Sequence, residues 1–255
     1  MSLSSGRFDL SIIGAYGIVL AAFGHAGRPS DAYVLALLPL SMVLTIIAGL
    51  LAASARVRVL VGVVSFFVYR GIGLEFSNDG VISTETASRI MTLVGRRSGP
   101  HLAILVLATF GCWFVLAHTR AGRGIRVNAL LNLEFGSRID RSLLVLSRAV
   151  CGALVWLAAL SSFARVGAAT ALSGDSLLVF VVAAVLIGNG GYEANWPAPF
   201  RTAVIYLILI GIRTVLLAAG WRVSGIEVVV GIMALLSMVL HENTRTRMPA
   251  DHVAA

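Results

Sequence analysis

The sequence contains no lysine, and all 20 of its strongly basic side chains are arginine. A P-loop nucleotidase uses a lysine to reach the β- and γ-phosphates, so this chain is not expected to hydrolyse ATP by itself. Cysteine is scarce as well. Cys112 and Cys151 both fall inside apolar segments, and we expect no structural disulfide between them.

Charged residues make up only 13% of the chain, against 58% hydrophobic residues. A soluble domain carries about twice that charged fraction. The net charge of +8 comes from arginines that lie mostly in short loops between apolar segments. That distribution is typical of membrane topology signals and lipid headgroup contacts, so we expect a lipid bilayer rather than nucleic acid as the partner.

Long uncharged runs recur along the chain. Residues 32–54 hold no charged side chain and are long enough, as a helix, to cross a hydrocarbon core of about 30 Å. Lipid cannot satisfy free backbone amides, so such segments must be helical. The predicted fold is all-α, a polytopic α-helical membrane protein with about eight membrane segments, some of them broken. The predicted segments are residues 10–24, 32–54, 57–74, 101–118, 142–164, 177–188, 202–220 and 226–240.

Arginine counting predicts the orientation. With the N-terminus in the cytoplasm, the loops on that side hold more arginines than the opposite loops, which favours N-in and C-in. The predicted cytoplasmic set is Arg7, Arg56, Arg58, Arg120, Arg123, Arg126, Arg138, Arg141, Arg201, Arg245 and Arg247. The opposite set is Arg28, Arg89, Arg96, Arg97, Arg165 and Arg222.

Two hydrophilic loops interrupt the apolar pattern. Residues 75–100 are predicted outside, with a short amphipathic helix over 86–94. Residues 119–141 are predicted inside and carry several arginines and two acidic residues around an apolar core. The second loop either docks as an amphipathic helix into a partner groove or anchors the topology by snorkelling.

Five short motifs follow one another along the chain: Gly6-Arg7-Phe8-Asp9-Leu10-Ser11, Val68-Tyr69-Arg70-Gly71-Ile72-Gly73-Leu74, Thr119-Arg120-Ala121-Gly122-Arg123 with Ile125, Ala183-Ala184-Val185-Leu186-Ile187-Gly188, and Val228-Val229-Val230-Gly231-Ile232-Met233-Ala234-Leu235-Leu236. In this order and approximate spacing they resemble the permease subunits of ribose-type and branched-chain-amino-acid-type ABC importers. The third motif is similar to the start of that family's cytoplasmic coupling loop.

The resemblance implies a transport subunit of the bacterial cytoplasmic (inner) membrane and not an enzyme. Its expected partners are ATP-binding cassette ATPase subunits, a second permease (the same chain or a divergent paralogue) and an extracytoplasmic solute-binding protein. The expected solute is a sugar or a similar small polar molecule. No cofactor is expected on this chain, because ATP is bound by the ATPase subunit.

The chain also departs from the family pattern. The Asp-Leu-Ser motif stands almost at residue 1, and residues 132–137 replace the usual Gly-Gly-Asn-Glu-x-Ala-Ala core of the coupling loop. We therefore expect a divergent, N-terminally shortened permease. The alternatives are a permease for branched-chain amino acids or nucleosides, and a non-transporting membrane anchor or regulatory subunit.

The predicted domain organisation is one transmembrane permease domain over residues 1–241, with a coupling loop at 119–141 and a cytoplasmic tail at 242–255. Acidic, basic and apolar residues in the middle of the loop are the candidate contacts to the ATPase. Glu134 and Arg138 stand four residues apart and alternatively pair with each other. The candidate contacts are Asn132, Leu133, Glu134, Phe135, Arg138 and Asp140.

The candidate translocation path is a run of aromatic and hydroxyl side chains that suits a sugar ring or nucleoside. Its residues are Ser65, Phe66, Tyr69 and Arg70, together with Asn189 at a predicted broken-helix turn. Alternatively, Arg70 reaches headgroups or an acidic partner such as Glu75.

Two further arginines fall in apolar segments. Arg148 is predicted to snorkel to the cytoplasmic interface, and Arg213 is predicted to pair with Glu227 of the next helix. The histidines lack metal-ligand spacing, so no metal site is expected.

Overall fold

The computed structural model of the protein describes residues 10–54, 58–77, 80–83, 88–95, 98–124, 141–169, 175–189 and 198–245. These residues are almost entirely helical. The helices are α1 (Ser11–His25), α2 (Asp31–Ser54), α3 (Arg58–Phe76), α4 (Arg89–Gly95), α5 (Ser98–His118), α6 (residues 120–124), α7 (Arg141–Val166), α8 (Asp175–Asn189), α9 (Ala198–Ala218) and α10 (Val223–Arg245). Strands β1 (Ile82–Ser83) and β2 (Ala168–Ala169) pair antiparallel. The chain divides into two compact units, unit 1 (Met1–Asp175) and unit 2 (Ser176–Ala255).

Each of the eight predicted apolar segments overlaps a helix, which confirms the helical membrane fold class. Within the described ranges, four helices are long and apolar enough to cross a membrane, over Asp31–Leu51, Gly99–His118, Ser142–Val166 and Phe200–Ala218. Three further apolar helices are shorter: Ser11–His25, Leu178–Gly188 and Val223–Ser237. The number of eight crossings stays a prediction.

Helix α1 lies at the centre of unit 1. Of its 15 residues, 12 are buried, so the helix is surrounded by protein on every face. It packs on α2, α3 and α7, and the ring of Phe23 stacks on Phe163 of α7 with ring centroids 5.9 Å apart. Its short length therefore needs no partial insertion into lipid, because its neighbours cover it.

Helices α2 and α7 approach each other closely along small and hydroxyl residues. A Cβ built on Gly152 would lie 2.5 Å from Cα of Met42, so only glycine fits there. The hydroxyl of Ser41 donates to the carbonyl of Gly152 over 2.9 Å, and Thr45 donates to the carbonyl of Arg148 over 2.8 Å. Small residues and interhelical hydrogen bonds hold membrane helices together in this way, because lipid gives no hydrophobic drive for their association.

One end of unit 1 is closed by the polar loop that follows α3. Strand β1 pairs with β2 beyond the end of α7, and α4 packs against α7 with Met91 fully buried. A Cβ on Gly95 would overlap the carbonyl of Ala164, which shows how closely α4 lies on α7. The short helix predicted over 86–94 is observed as Arg89–Gly95, and residues 84–87 lie outside the described residues.

Asp31, the first residue of α2, also caps α4. Its Oδ1 accepts hydrogen bonds from the hydroxyl of Ser88, at 2.5 Å, and from the backbone N–H of Ile90, at 3.3 Å. Ser88 in turn accepts from the N–H of Met91 over 3.3 Å. The carboxylate thereby satisfies donors at the start of α4 that have no partner within the helix.

The substitution Asp31→Ala is expected to loosen α4 while the rest of unit 1 stays folded. Loss of a capping acceptor costs about 1 kcal/mol, so the amides of residues 90–95 should exchange about fivefold faster. Hydrogen exchange measured by mass spectrometry tests this. Asp31→Asn, which keeps an acceptor oxygen, serves as the control, and unchanged exchange in Asp31→Ala would contradict the capping role.

Unit 2 packs α8 against α9 and α10. Its buried core is built from small and branched side chains around one aromatic ring: Phe180, Ala183, Ala184, Leu186, Leu209, Ile226, Val230 and Ala234. The outer faces of α9 and α10 expose large apolar residues, as expected for helices in contact with lipid. Helix α10 continues to Arg245, so its polar last turn covers the first four residues predicted as tail.

Candidate functional site

The loop predicted to meet an ATPase starts with a capped turn. Thr119 accepts a hydrogen bond at its hydroxyl from the N–H of Gly122, at 2.9 Å, which is the N-cap arrangement for α6. The same hydroxyl donates to the carbonyl of Val115 over 2.6 Å and so fixes α6 to the last turn of α5. Arg120 and Arg123 are both exposed on this turn.

Gly122 is the residue that lets this turn fold back on α5. A Cβ at this position would overlap the carbonyl of Val115, and Gly122 is buried. A Cβ on Gly124 would lie 2.8 Å from Cδ1 of Leu143, so α6 also meets the first turn of α7. The Thr-Arg-x-Gly-Arg pattern therefore encodes a fixed turn between two membrane helices that presents two guanidinium groups.

The middle of the loop, residues 125–140, lies outside the described residues. All six predicted ATPase contacts fall there, and their roles stay predictions. They are Asn132, Leu133, Glu134, Phe135, Arg138 and Asp140.

The predicted path residues of α3 divide between two faces. Ser65 and Tyr69 are buried, and the Tyr69 hydroxyl donates to the carbonyl of Leu44 in α2 over 2.7 Å. Phe66 and Arg70 are only partly buried and lie on an adjacent face. A Cβ on Gly14 of α1 would lie 2.8 Å from Cβ of Tyr69, so the buried face is filled by α1 and α2.

These contacts give Tyr69 a structural role between helices, and they leave Phe66 and Arg70 as the accessible members of the predicted path. Asn189 is the last residue of α8 and belongs to unit 2, and its place in the path stays a prediction.

The prediction that Arg148 snorkels is wrong. Arg148 is 1% exposed, and a Cβ on Gly49 would lie 2.6 Å from its Cγ. Because Gly49 has no side chain, α2 leaves space at this position, and the aliphatic part of the Arg148 side chain fills it. The Arg148 side chain therefore lies between helices and does not extend along the helix surface. The signal in the sequence is the spacing of Ser41, Thr45 and Gly49, which puts three small residues on one face of α2.

Arg213 also differs from its prediction. Its guanidinium carbon lies 5.4 Å from the centroid of the Phe180 ring, a cation–π contact within unit 2. Among the described residues, no ion pair joins Arg213 to Glu227. The chain spacing suggested a pair across the α9–α10 hairpin, but the aromatic ring comes from α8.

The remaining chemistry-bearing side chains form no reactive cluster in the ranges that the structure describes. Cys112 and Cys151 are free, and no group of three or more metal-binding side chains occurs there. His101 Nδ1 in α5 and the hydroxyl of Ser161 in α7 form a hydrogen bond of 2.5 Å, which links these two helices.

Comparison with known proteins finds similarity to a sugar permease. The chain is 26% identical over 201 residues to the ribose import permease protein RbsC of Escherichia coli (strain K12). The predicted resemblance to ribose-type permeases is confirmed. The match covers 73% of this chain and 62% of that permease, and the proteins of the same name from Escherichia coli O6:H1 and O157:H7 give equal values. No protein-family model matches the chain, and no solved structure matches it.

The relationship and the apolar helices together identify a membrane protein that resembles a transport component. At 26% identity the chain is a divergent relative of the ribose permease, and it spans 62% of that relative's length.

Proposed function

We propose that the chain is the permease subunit of an ATP-binding cassette importer for a sugar or a similar small polar solute. The observation that carries the proposal is the similarity to a ribose import permease over 73% of the chain. The importer lies in the bacterial inner membrane, with both termini of this chain in the cytoplasm.

The loop start supports this function. Thr119 and Gly122 fix a turn at the junction of α5 and α7, and Arg120 and Arg123 point outward from it. A turn that is hydrogen-bonded to α5 and lies next to the first turn of α7 suits the transmission of movement from a docked ATPase, because a displacement of the loop reaches both helices. Residues 132–140 then supply the contacts to the ATPase subunits.

The partly accessible face of α3 supports a path for a polar solute. Phe66 offers an aromatic surface for a sugar ring, and Arg70 offers hydrogen-bond donors for its hydroxyls. A second permease, the same chain or a divergent paralogue, completes the path, and an extracytoplasmic solute-binding protein delivers the solute to it.

The proposal is tested by purification of the tagged chain from its native membrane in mild detergent, with mass spectrometry of the proteins that remain bound. We expect an ATP-binding cassette subunit in the wild-type sample and its loss in the double variant Glu134→Arg, Arg138→Glu. Arg165→Glu, an exposed charge in the last turn of α7, is the matched control and should retain the ATPase.

Recovery of the chain without any ATPase, under conditions that preserve other transporters, would overturn the proposal and favour a membrane anchor. Uptake of labelled solutes by proteoliposomes that contain the purified complex then separates a sugar from branched-chain amino acids or nucleosides.

A further inference from the structure

Arg213 carries a positive charge within a helix that is long and apolar enough to span the membrane. It lies in the candidate span Phe200–Ala218, five residues before that span ends. At 1.5 Å per residue this places its Cα roughly 8 Å from the helix end. An arginine at such a depth is costly unless it finds an anion or reaches the interface, and it therefore indicates a functional site.

The described neighbours hold the guanidinium in place without neutralising its charge. Phe180 lies beneath it at 5.4 Å, and the Nε atom is buried with no hydrogen-bond partner. Glu227, partly buried in the second turn of α10, forms no ion pair with it in the described part of unit 2. The Phe180 ring orients the cation, and among the described residues of unit 2 no carboxylate pairs with it.

The nearby hairpin between α9 and α10 has the residues of a membrane interface. The N–H groups of Gly220 and Trp221 donate to the carbonyls of Leu217 and Leu216, each over 3.0 Å, and Gly220 has a φ of +84°. This closes the turn tightly and leaves Trp221 and Arg222 exposed. Tryptophan and arginine concentrate where the hydrocarbon core meets the headgroups.

The indole ring of Trp221 lies beside the first turn of α10. A Cβ on Gly225 would lie 3.9 Å from the indole ring, so the ring rests over the first turn of α10. Val215 and Leu217, between Arg213 and the turn, are large exposed apolar residues of the kind that acyl chains cover. The surface thus runs from an apolar strip to an aromatic and cationic edge, which matches the order of chemistry in a phospholipid.

We propose that Arg213 and Arg222 bind the phosphate of an anionic phospholipid, with Trp221 packed at the border between its headgroup and acyl chains. A guanidinium forms two parallel hydrogen bonds with phosphate oxygens, and an arginine roughly 8 Å below the interface reaches it by snorkelling. Phe180 holds Arg213 in the orientation that this contact requires. The site lies entirely within unit 2 and does not depend on the proposed transport function.

The test measures lipid binding by the purified membrane complex in native mass spectrometry, with phosphatidylglycerol added in stepwise amounts. We expect Arg213→Gln to bind this lipid about fivefold more weakly than the wild type, because each arginine near the surface contributes about that factor. Arg213→Lys should recover part of the loss. Thr214→Val, which alters the exposed neighbour of Arg213 without removing a charge, should bind as the wild type does.

Equal lipid affinity in the wild type and Arg213→Gln would overturn the proposal. The proposal would also be overturned if Arg213→Gln lost a co-purifying protein while its lipid binding stayed unchanged. An acidic side chain of that protein would then be the partner of Arg213. Inorganic phosphate is the second probe, and competition by it at low millimolar concentration would assign the site to a free anion. If Arg213→Gln fails to fold, the exposed Arg222→Gln gives the same readout, and unchanged binding there counts against the site.

Discussion

Replacing Gly152 with valine is expected to lower the apparent melting temperature of the purified protein by about 5–10 °C. The Cβ of any other residue there would lie 2.5 Å from Cα of Met42 and 2.7 Å from the carbonyl oxygen of Ser41. Both neighbours are backbone atoms, so α2 and α7 must move apart. Overpacking of this kind costs about 3 kcal/mol, and separation of the helices also weakens the bond from Ser41 to the Gly152 carbonyl.

The matched control is Gly71→Ala in α3, where an added Cβ meets no atom within 4 Å. Alanine favours a helix over glycine by up to about 1 kcal/mol, so this variant should melt at or slightly above the wild-type temperature. Fluorescence-detected thermal unfolding in one detergent compares the two. Similar melting temperatures for Gly152→Val and the wild type would show that α2 and α7 do not pack as described.

Under the proposed function, replacing Gly122 with valine is expected to lower ATP-driven solute uptake. A Cβ at this position overlaps the carbonyl of Val115, so the turn that starts the loop cannot lie against α5. The overlap involves only the last turn of α5, so we expect the membrane helices to remain folded. We expect uptake by reconstituted vesicles to fall roughly tenfold, which corresponds to about 1.4 kcal/mol in the coupled step.

Two controls separate this effect from general damage. Gly111→Ala alters α5 one turn before Val115 where nothing lies within 4 Å, and it should transport normally. Thr119→Ser keeps the capping hydroxyl and should also transport, whereas Thr119→Val should show part of the Gly122→Val defect. Normal uptake by Gly122→Val would exclude a coupling role for the turn.

The helices could be predicted from the sequence because each one depends on the chemistry of residues that are neighbours in the chain. An uncharged run such as residues 32–54 has only one way to satisfy its backbone in lipid, and the structure has a helix over Asp31–Ser54. The motif at 119–123 likewise describes a turn whose cap and glycine lie three residues apart.

The neighbours of the intramembrane arginines could not be predicted in the same way. The burial of Arg148 depends on the space beside Gly49, which lies 99 positions earlier in the chain. No sequence periodicity links the two positions. Arg213 meets Phe180 of α8 although Glu227 is nearer in sequence. Composition also does not distinguish a helix covered by protein from one covered by lipid, so the burial of α1 was not apparent.

The central position of α1 has a consequence for biosynthesis. Helix α1 is made before α7, and Phe163, which stacks on Phe23, follows 140 residues later in the chain. At about 5–20 residues per second, translation of that stretch takes roughly 7–30 seconds. During that interval α2 and α3 are already made and can pack on α1, whereas the contacts of α1 with α7 are still missing. The bundle is therefore complete only when α7 arrives.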